Sequence, residues 1–397
     1  MLHWLSGRSS DTGTDTSVDP PCFPRGSKAK SKNMSTNDPP AVRLTSEKIL
    51  FGTMPDGSKV DKYTFRNAGQ MEVSIITYGG IIQSILVPDR NGQLADVVLG
   101  FDTLEDYILP HPYFGAIIGR YGNRIAQGRF TLKGKQYQVP INDGPNALHG
   151  GTEGFEKKLW QATPIEDPDG VGVELTYLSP DGEMGFPGNL TVTVRYTLNR
   201  ENELRIQYSA VTDQETIVNL TNHTYFNLSG AGSGTVLDSA ALINADRFTP
   251  INHLLIPTGE LLEVKGTPLD FTTPTAIGAH IKSDHPQLKY AEEKQGGYDF
   301  NWILNHPGDL QALATRVTDP SSGRTVEMYT TEPGVQFYSG NFLNGTLKGK
   351  HGLTYAHWGG FCLEAQHYPD SVNHPHFPPT ELAPGEKYSQ TTIFKFP

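Results

Sequence analysis

The sequence predicts an all-β protein, a large antiparallel sandwich or barrel-like stack of sheets. Three observations carry that expectation. Short runs of alternating apolar and polar residues, rich in Val, Ile, Thr, Tyr and Phe, recur along the chain and read as half-buried strands. The 42 glycines and 29 prolines in 397 residues exceed the roughly 12% of an average chain and punctuate those runs as turns. Spacings between runs are too short for the crossovers that parallel strands require, which leaves antiparallel pairing.

The elements follow in order. Residues 1–40 are rich in Ser, Thr, Asp, Pro, Gly and Lys without apolar period, and read as a disordered extension. Periodic structure begins near Val42, so residues 41–397 are expected to form one folded unit, although length alone suggests two or three domains. Met71–Val87 holds two strand runs bent at Gly79-Gly80 and closed by the turn Pro88-Asp-Arg-Asn-Gly92. Thr103–Leu109 offers one or two helical turns. Arg129–Val139 reads as a hairpin about Lys133-Gly134-Lys135. Val171–Leu178, Leu190–Leu198, Leu204–Thr212 and Thr216–Asn227 are four strand candidates separated by turn residues. No repeat of 20 to 50 residues is present.

Charge and composition exclude several functions. The net charge is −11 and the pI about 5.6, which argues against nucleic acid or an anionic membrane as the main ligand. No run approaches the roughly 20 apolar residues of a membrane span, and Met1-Leu-His-Trp-Leu-Ser-Gly-Arg8 is too short an apolar stretch for a signal peptide. Cys22 and Cys362 are the two cysteines; they allow no disulfide framework and no cysteine zinc site. A cytoplasmic protein is expected. Gly230-Ala-Gly-Ser-Gly234 lacks the βαβ context of a nucleotide fingerprint. His351, His357, His367, His374 and His376 lack zinc spacing.

Two segments point to chemistry. Gly359-Gly-Phe-Cys-Leu-Glu-Ala-Gln366 sets a carboxylate in an apolar strand, a costly placement unless something compensates. On a strand, Cys362, Glu364 and Gln366 share one face, and Phe361, Leu363 and Ala365 the other. The alternative is a strand with one solvated face. Thr216–Asn227, read as one strand, puts Thr221, His223, Tyr225 and Asn227 on one face and other polar groups on the opposite face. His223 is the residue of this run whose unperturbed side chain titrates near neutral pH; a hydrogen-bonded structural histidine is the alternative. His149 lies in the glycine loop Asn146-Ala-Leu-His-Gly-Gly-Thr152, where backbone approaches something closely. Arg120 and Arg124 flank a Gly-rich bend and suit recognition of hydroxyls. Asp299 sits beside aromatics and Gln336 in a strand pattern. Together they suit general acid–base work on a polyhydroxylated ligand; no activated Ser or Cys and no metal cluster competes.

In this order the chain carries Gly119-Arg-Tyr-Gly-Asn-Arg-Ile-Ala126, Leu148-His-Gly-Gly151, Ser179-Pro-Asp-Gly-Glu-Met-Gly-Phe-Pro-Gly-Asn189, Thr221-Asn-His-Thr-Tyr-Phe-Asn-Leu228, Gly297-Tyr-Asp299, Pro333-Gly-Val-Gln-Phe-Tyr338, Phe361-Cys-Leu-Glu-Ala-Gln366 and Pro384-Gly-Glu-Lys-Tyr388. In these motifs it resembles the galactose mutarotase (aldose 1-epimerase) family over nearly all of residues 42–397. The resemblance implies a β-supersandwich with a sugar cleft and interconversion of hexose anomers without cofactor or metal. It makes Glu364 the base for the C1 hydroxyl and His223 the acid for the ring oxygen, with His149 near that oxygen. Asn123, Arg124, Asp299 and Gln336 would hold ring hydroxyls. Glu364 and His223 are expected to face one cleft from opposite sides of a hexose-sized gap. The chain departs from the family at Phe300, where a histidine is common; a strand would point that side chain away from Asp299. A hexose 6-phosphate 1-epimerase, which needs extra basic residues, and a non-catalytic sugar-binding protein are the alternatives. A free sugar is the expected partner, and nothing favours a monomer over a homodimer.

Overall fold

Alternation, where the sequence showed it, became strands. The computed structural model describes residues 44–167, 170–292 and 296–397; the expected extension, 1–40, and Cys22 lie outside them. Val42–Pro397 forms a compact unit. Gly170–Ser179, Leu190–Asn199 and Glu203–Thr212 are consecutive antiparallel strands, as their period-2 pattern predicted. They belong to a nine-stranded sheet that continues through Tyr388–Lys395 and Thr325–Thr330. A five-stranded sheet runs in chain order from Thr45–Thr53 to Leu94–Asp96. It includes Glu72–Ile76 and Ile81–Pro88, with the bend at Gly79 and Gly80, both at positive φ. The hairpin Arg129–Leu132 with Lys135–Gln138 turns through Lys133 and Gly134, both left-handed. That is the primed turn geometry that matches strand twist. Leu104–Ile108 is the short helix, capped by Thr103. Among the described residues no helix is long and apolar enough to cross a membrane.

The third large sheet positions the site. Asp299–Ile303, Gly334–Tyr338 and Phe361–Gln366 are neighbours in it, and nearly every residue of the three is buried. Register sorts their side chains. Phe300, Trp302, Val335, Phe337, Phe361, Leu363 and Ala365 join the main core with side chains of the nine- and five-stranded sheets. The opposite face carries two polar rows, Asp299–Tyr338–Cys362 and Asn301–Gln336–Glu364. A solvated face is thereby excluded: Glu364 is 2% exposed. Phe300 points away from Asp299 into the core, edge-on to Phe248 and Trp302.

One expected element is corrected. Thr216–Asn227 is not a single strand. Thr216–Ile217 pairs with Glu381–Leu382, Thr221–Asn222 with Ile117–Ile118, and Tyr225–Phe226 with Phe361–Cys362. The segment crosses between sheets, and its polar side chains satisfy the backbone it leaves. Asn219 donates to the carbonyls of Gly122 and His367, Asn222 to Gly115, and Asn227 to Gly359. Polar residues on both faces were the signature of that crossing.

Candidate active site

Three short pairings converge on His223. Its N–H donates to Ala116 O and its C=O accepts from Gly115 N, each at 3.0 Å. The pairing of Tyr225–Phe226 with Phe361–Cys362 then carries the imidazole to Glu364. Nε2 lies 3.7 Å from Glu364 Oε1. His149 arrives separately: Ala147–Leu148 pairs with Arg124–Ile125, His149 N–H donates to Asn123 O, and Asn123 N–H donates to His149 Nδ1 at 3.1 Å. The His149 and His223 rings meet edge to face, 5.1 Å between centroids.

These groups line one open cleft. Asn123, Arg124, His149, His223, Asp299 and Glu364 reach it. Gln336 differs from expectation. It does not line the cleft but stands behind Asp299, to which Nε2 donates at 2.7 Å, because the sheet register sets it between Asn301 and Glu364. Arg120 is elsewhere. Its guanidinium is buried and donates to Ser179 Oγ and to the carbonyls of Ser179, Pro180, Pro187 and Gly188, so it staples loops. Glu364 and His223 were expected on opposite sides of a hexose-sized gap; instead they line the cleft side by side, 3.7 Å apart.

Electrostatics follow from burial. The Arg124 guanidinium loses solvation, but Asp299, Asp143 and Glu364 more than offset this and hold it charged. Its Nε donates to Asp143 at 2.7 Å, and Nη1 lies 3.5 Å from Asp299. Burial, with Asp299 adding to it, pushes the Glu364 carboxyl well above its ordinary value. Burial pushes His223 down to about 3. Burial therefore disfavours the charged form of each group. Glu364 Oε2, at the cleft, is buried without a protein partner among the described residues, a cost of about 1–3 kcal/mol. That is the expense of a surface shaped for a ligand's hydroxyls.

His149, His223 and Glu364 bring potential ligand atoms within 4.8 Å of one another, yet the donor set does not suit a metal. A metal-bound imidazole normally donates its second N–H to an acceptor. Here a backbone N–H occupies His149 Nδ1, and burial keeps the ring neutral. The proton is therefore on Nε2, and the nitrogen left for an ion carries hydrogen.

The aldose 1-epimerase family model matches residues 61–395. The chain belongs to the aldose 1-epimerase family. It is 49% identical over 350 residues to the galactose mutarotase of Bos taurus, covering 88% of this chain and 98% of that protein. It is 47% identical over 350 residues to that of Homo sapiens, with the same two coverages. It is 38% identical over 344 residues to the aldose 1-epimerase of Escherichia coli, covering 86% and 96%. Among solved structures, a galactose 1-epimerase from Lactobacillus acidophilus superposes with a TM-score of 0.78 at 30% identity, covering 89% and 99%. The motif order that suggested the family therefore reflects a shared fold across the whole described unit.

Within this aldose 1-epimerase family member, sequence reasoning missed several cleft residues. Asp143, which anchors Arg124, lies in an ordinary turn sequence. Tyr113 stands edge-on to His149 at 4.7 Å and tilted against His223 at 5.6 Å. Its φ of 61° is uncommon for a tyrosine, but nothing in the sequence marks it. The glycines beside His149 were legible. Gly150 has φ +88°, and a Cβ there would lie 2.1 Å from Gly119 O. Gly150→Ala is expected to cost at least about 1–2 kcal/mol from the left-handed backbone alone. It should also lower activity by displacing His149; urea unfolding and kinetics on one preparation would check both.

Proposed function

We propose that two neighbouring side chains, Glu364 and His223, give this chain its mutarotase chemistry. As an aldose 1-epimerase it interconverts the α and β anomers of free hexoses such as glucose and galactose by opening and reclosing the ring. Glu364 as carboxylate takes the proton of the C1 hydroxyl while His223 delivers one to the ring oxygen. The C1–O5 bond breaks and leaves an open-chain aldehyde. Rotation about C1–C2 exposes either face of the carbonyl. On reclosure O5–H returns its proton to His223 and Glu364 returns one to O1. Atoms and protons balance, and the reaction calls for no redox or phosphate cofactor.

The observation that carries this reading is the 3.7 Å separation of His223 Nε2 and Glu364 Oε1. O1 and O5 are bonded to one carbon, so the groups that serve them must be neighbours. Each positioned acid or base is typically worth about 10²–10⁴ in rate.

His149, with Nε2–H free to donate, steadies the sugar near the ring oxygen. Asn123, Arg124 and Asp299 hold ring hydroxyls, and Gln336 acts by orienting Asp299. This chemistry is assigned to residues 41–397 as one catalytic β-sandwich domain, supported by the compact unit Val42–Pro397. A cytoplasmic location belongs to the same reading, supported by Cys362 as a buried free thiol; cell fractionation would check it.

Polarimetry on freshly dissolved α-D-glucose and α-D-galactose is the direct test. Purified protein is expected to accelerate the optical drift well beyond the spontaneous rate; no acceleration would reject the reading. Glucose 6-phosphate in parallel is expected to turn over poorly. Arg124 is the cation lining the cleft among the described residues, and two carboxylates already engage it. Efficient turnover of the phosphate would favour the 6-phosphate epimerase instead.

A further inference from the structure

The imidazole of His223 is bracketed by two side chains of one strand. Cys362 and Glu364 are two residues apart on Phe361–Gln366 and so project to one face. Glu364 Oε1 faces Nε2. Cys362 Sγ lies 3.6 Å from Nδ1. The sulfur is fixed from both sides, since Cys362 pairs with Tyr225 on one neighbouring strand and Tyr338 on the other. It is wholly buried. Burial, with Glu364 and Asp299 adding to it, pushes the thiol up, so it stays protonated.

We infer that Cys362 is a positioning residue that fixes the tautomer of His223, accepting Nδ1–H so that Nε2 is the nitrogen that exchanges protons with the sugar. This rests on His223 being the proton donor to the ring oxygen. Catalytic imidazoles commonly donate Nδ1–H to a carboxylate or carbonyl, which also stabilises the imidazolium. Sulfur is a weak acceptor. It selects the tautomer while adding little to the stability of the charged ring, so the Nε2 proton is held loosely. After transfer the neutral ring keeps its proton on Nδ1 and turns a lone pair toward the new O5–H, ready for reclosure.

Among the described residues, Cys362 is the hydrogen-bond partner at Nδ1. Tyr113, Tyr225 and Tyr338 pack against the ring, and burial holds all three phenols un-ionised. His149 is neutral and meets the ring edge to face. His111 acts from farther away and is itself pushed down to about 4 by burial. Glu364 is on the Nε2 side.

The test uses the full chain and its Cys362→Ser and Cys362→Ala variants. Nitrogen-15 NMR of labelled histidine reads the His223 tautomer without reference to activity, and kcat against pH reads its proton affinity. In the wild type the neutral ring is expected to carry its proton on Nδ1. Serine, a better acceptor of similar size, should stabilise the imidazolium and move the kcat–pH profile about 0.5–1 unit to higher pH with little change in KM. Alanine removes the acceptor and should shift the nitrogen signals toward a tautomer mixture, with kcat about tenfold lower. A wild-type neutral ring protonated on Nε2, or a serine variant with an unchanged profile, would overturn the inference. If the alanine variant fails to fold, the wild-type spectrum and the serine profile still decide. Absence of wild-type mutarotation would instead reject the role of His223 itself, while the spectrum still judges the tautomer.

Discussion

Glu364→Gln is expected to lower kcat for mutarotation by about 10²–10⁴-fold, with KM changed little. The amide keeps the shape and one carbonyl oxygen but cannot accept the C1 hydroxyl proton. The fold should survive, and the sign of the stability change is itself a check. Burial raises the folded-state pKa of Glu364 above its ordinary 4.5, so its proton is bound more tightly in the folded chain than in the unfolded one. Stability from this group is complete below pH 4.5 and falls as pH rises toward the raised value, by about 1.4 kcal/mol per unit. The neutral amide of the variant mimics the protonated carboxyl and escapes that loss. Urea midpoints at pH 5 and pH 8 should show the variant gaining on the wild type at the higher pH. Full activity in the variant would sink the assignment of the base.

His223→Ala is expected to reduce kcat by a similar factor of about 10²–10⁴, measured by polarimetry at saturating sugar. The rival account, a structural histidine, makes a different prediction: normal turnover with a lowered melting temperature. The pH dependence of stability separates them further. Burial depresses His223 to about 3, so the unfolded chain takes up a proton near pH 6.5 that the folded chain refuses. Stability from the neutral buried ring is present above pH 6.5 and is lost as pH falls toward 3. The alanine variant lacks this loss, so its urea midpoint should decline less steeply through that range.

Both variants bear on how the site is built, and that was only partly legible beforehand. Glu364 stood out because a carboxylate in Phe361–Gln366 is an energetic anomaly, and anomalies within one strand are visible in sequence. Arg124 and Arg120 illustrate the limit. They sit four residues apart around the same glycines, yet one is held by Asp143 and Asp299 at the cleft and the other by loop carbonyls around Ser179. No local pattern distinguishes them, because the deciding partners lie far along the chain from either arginine. Gln336 was assigned to sugar contact when its register, which only pairing sets, turns it to Asp299. Thr216–Asn227 failed as a strand for a related reason. Its backbone bonds go to three different strands, and periodicity reports none of them.

By itself the sequence determined the all-β class, the alternation of the long strands and the setting of a carboxylate in the apolar run Phe361–Gln366. Each depends on periods and burial costs that operate within a few residues. The tertiary structure decided what that carboxylate faces. Three two-residue pairings and the register of one sheet bring His223 to 3.7 Å from Glu364, with Cys362 on the ring's other side. Hydrogen bonds between segments distant in the chain fix that geometry, and no spacing along the chain encodes a distance across it.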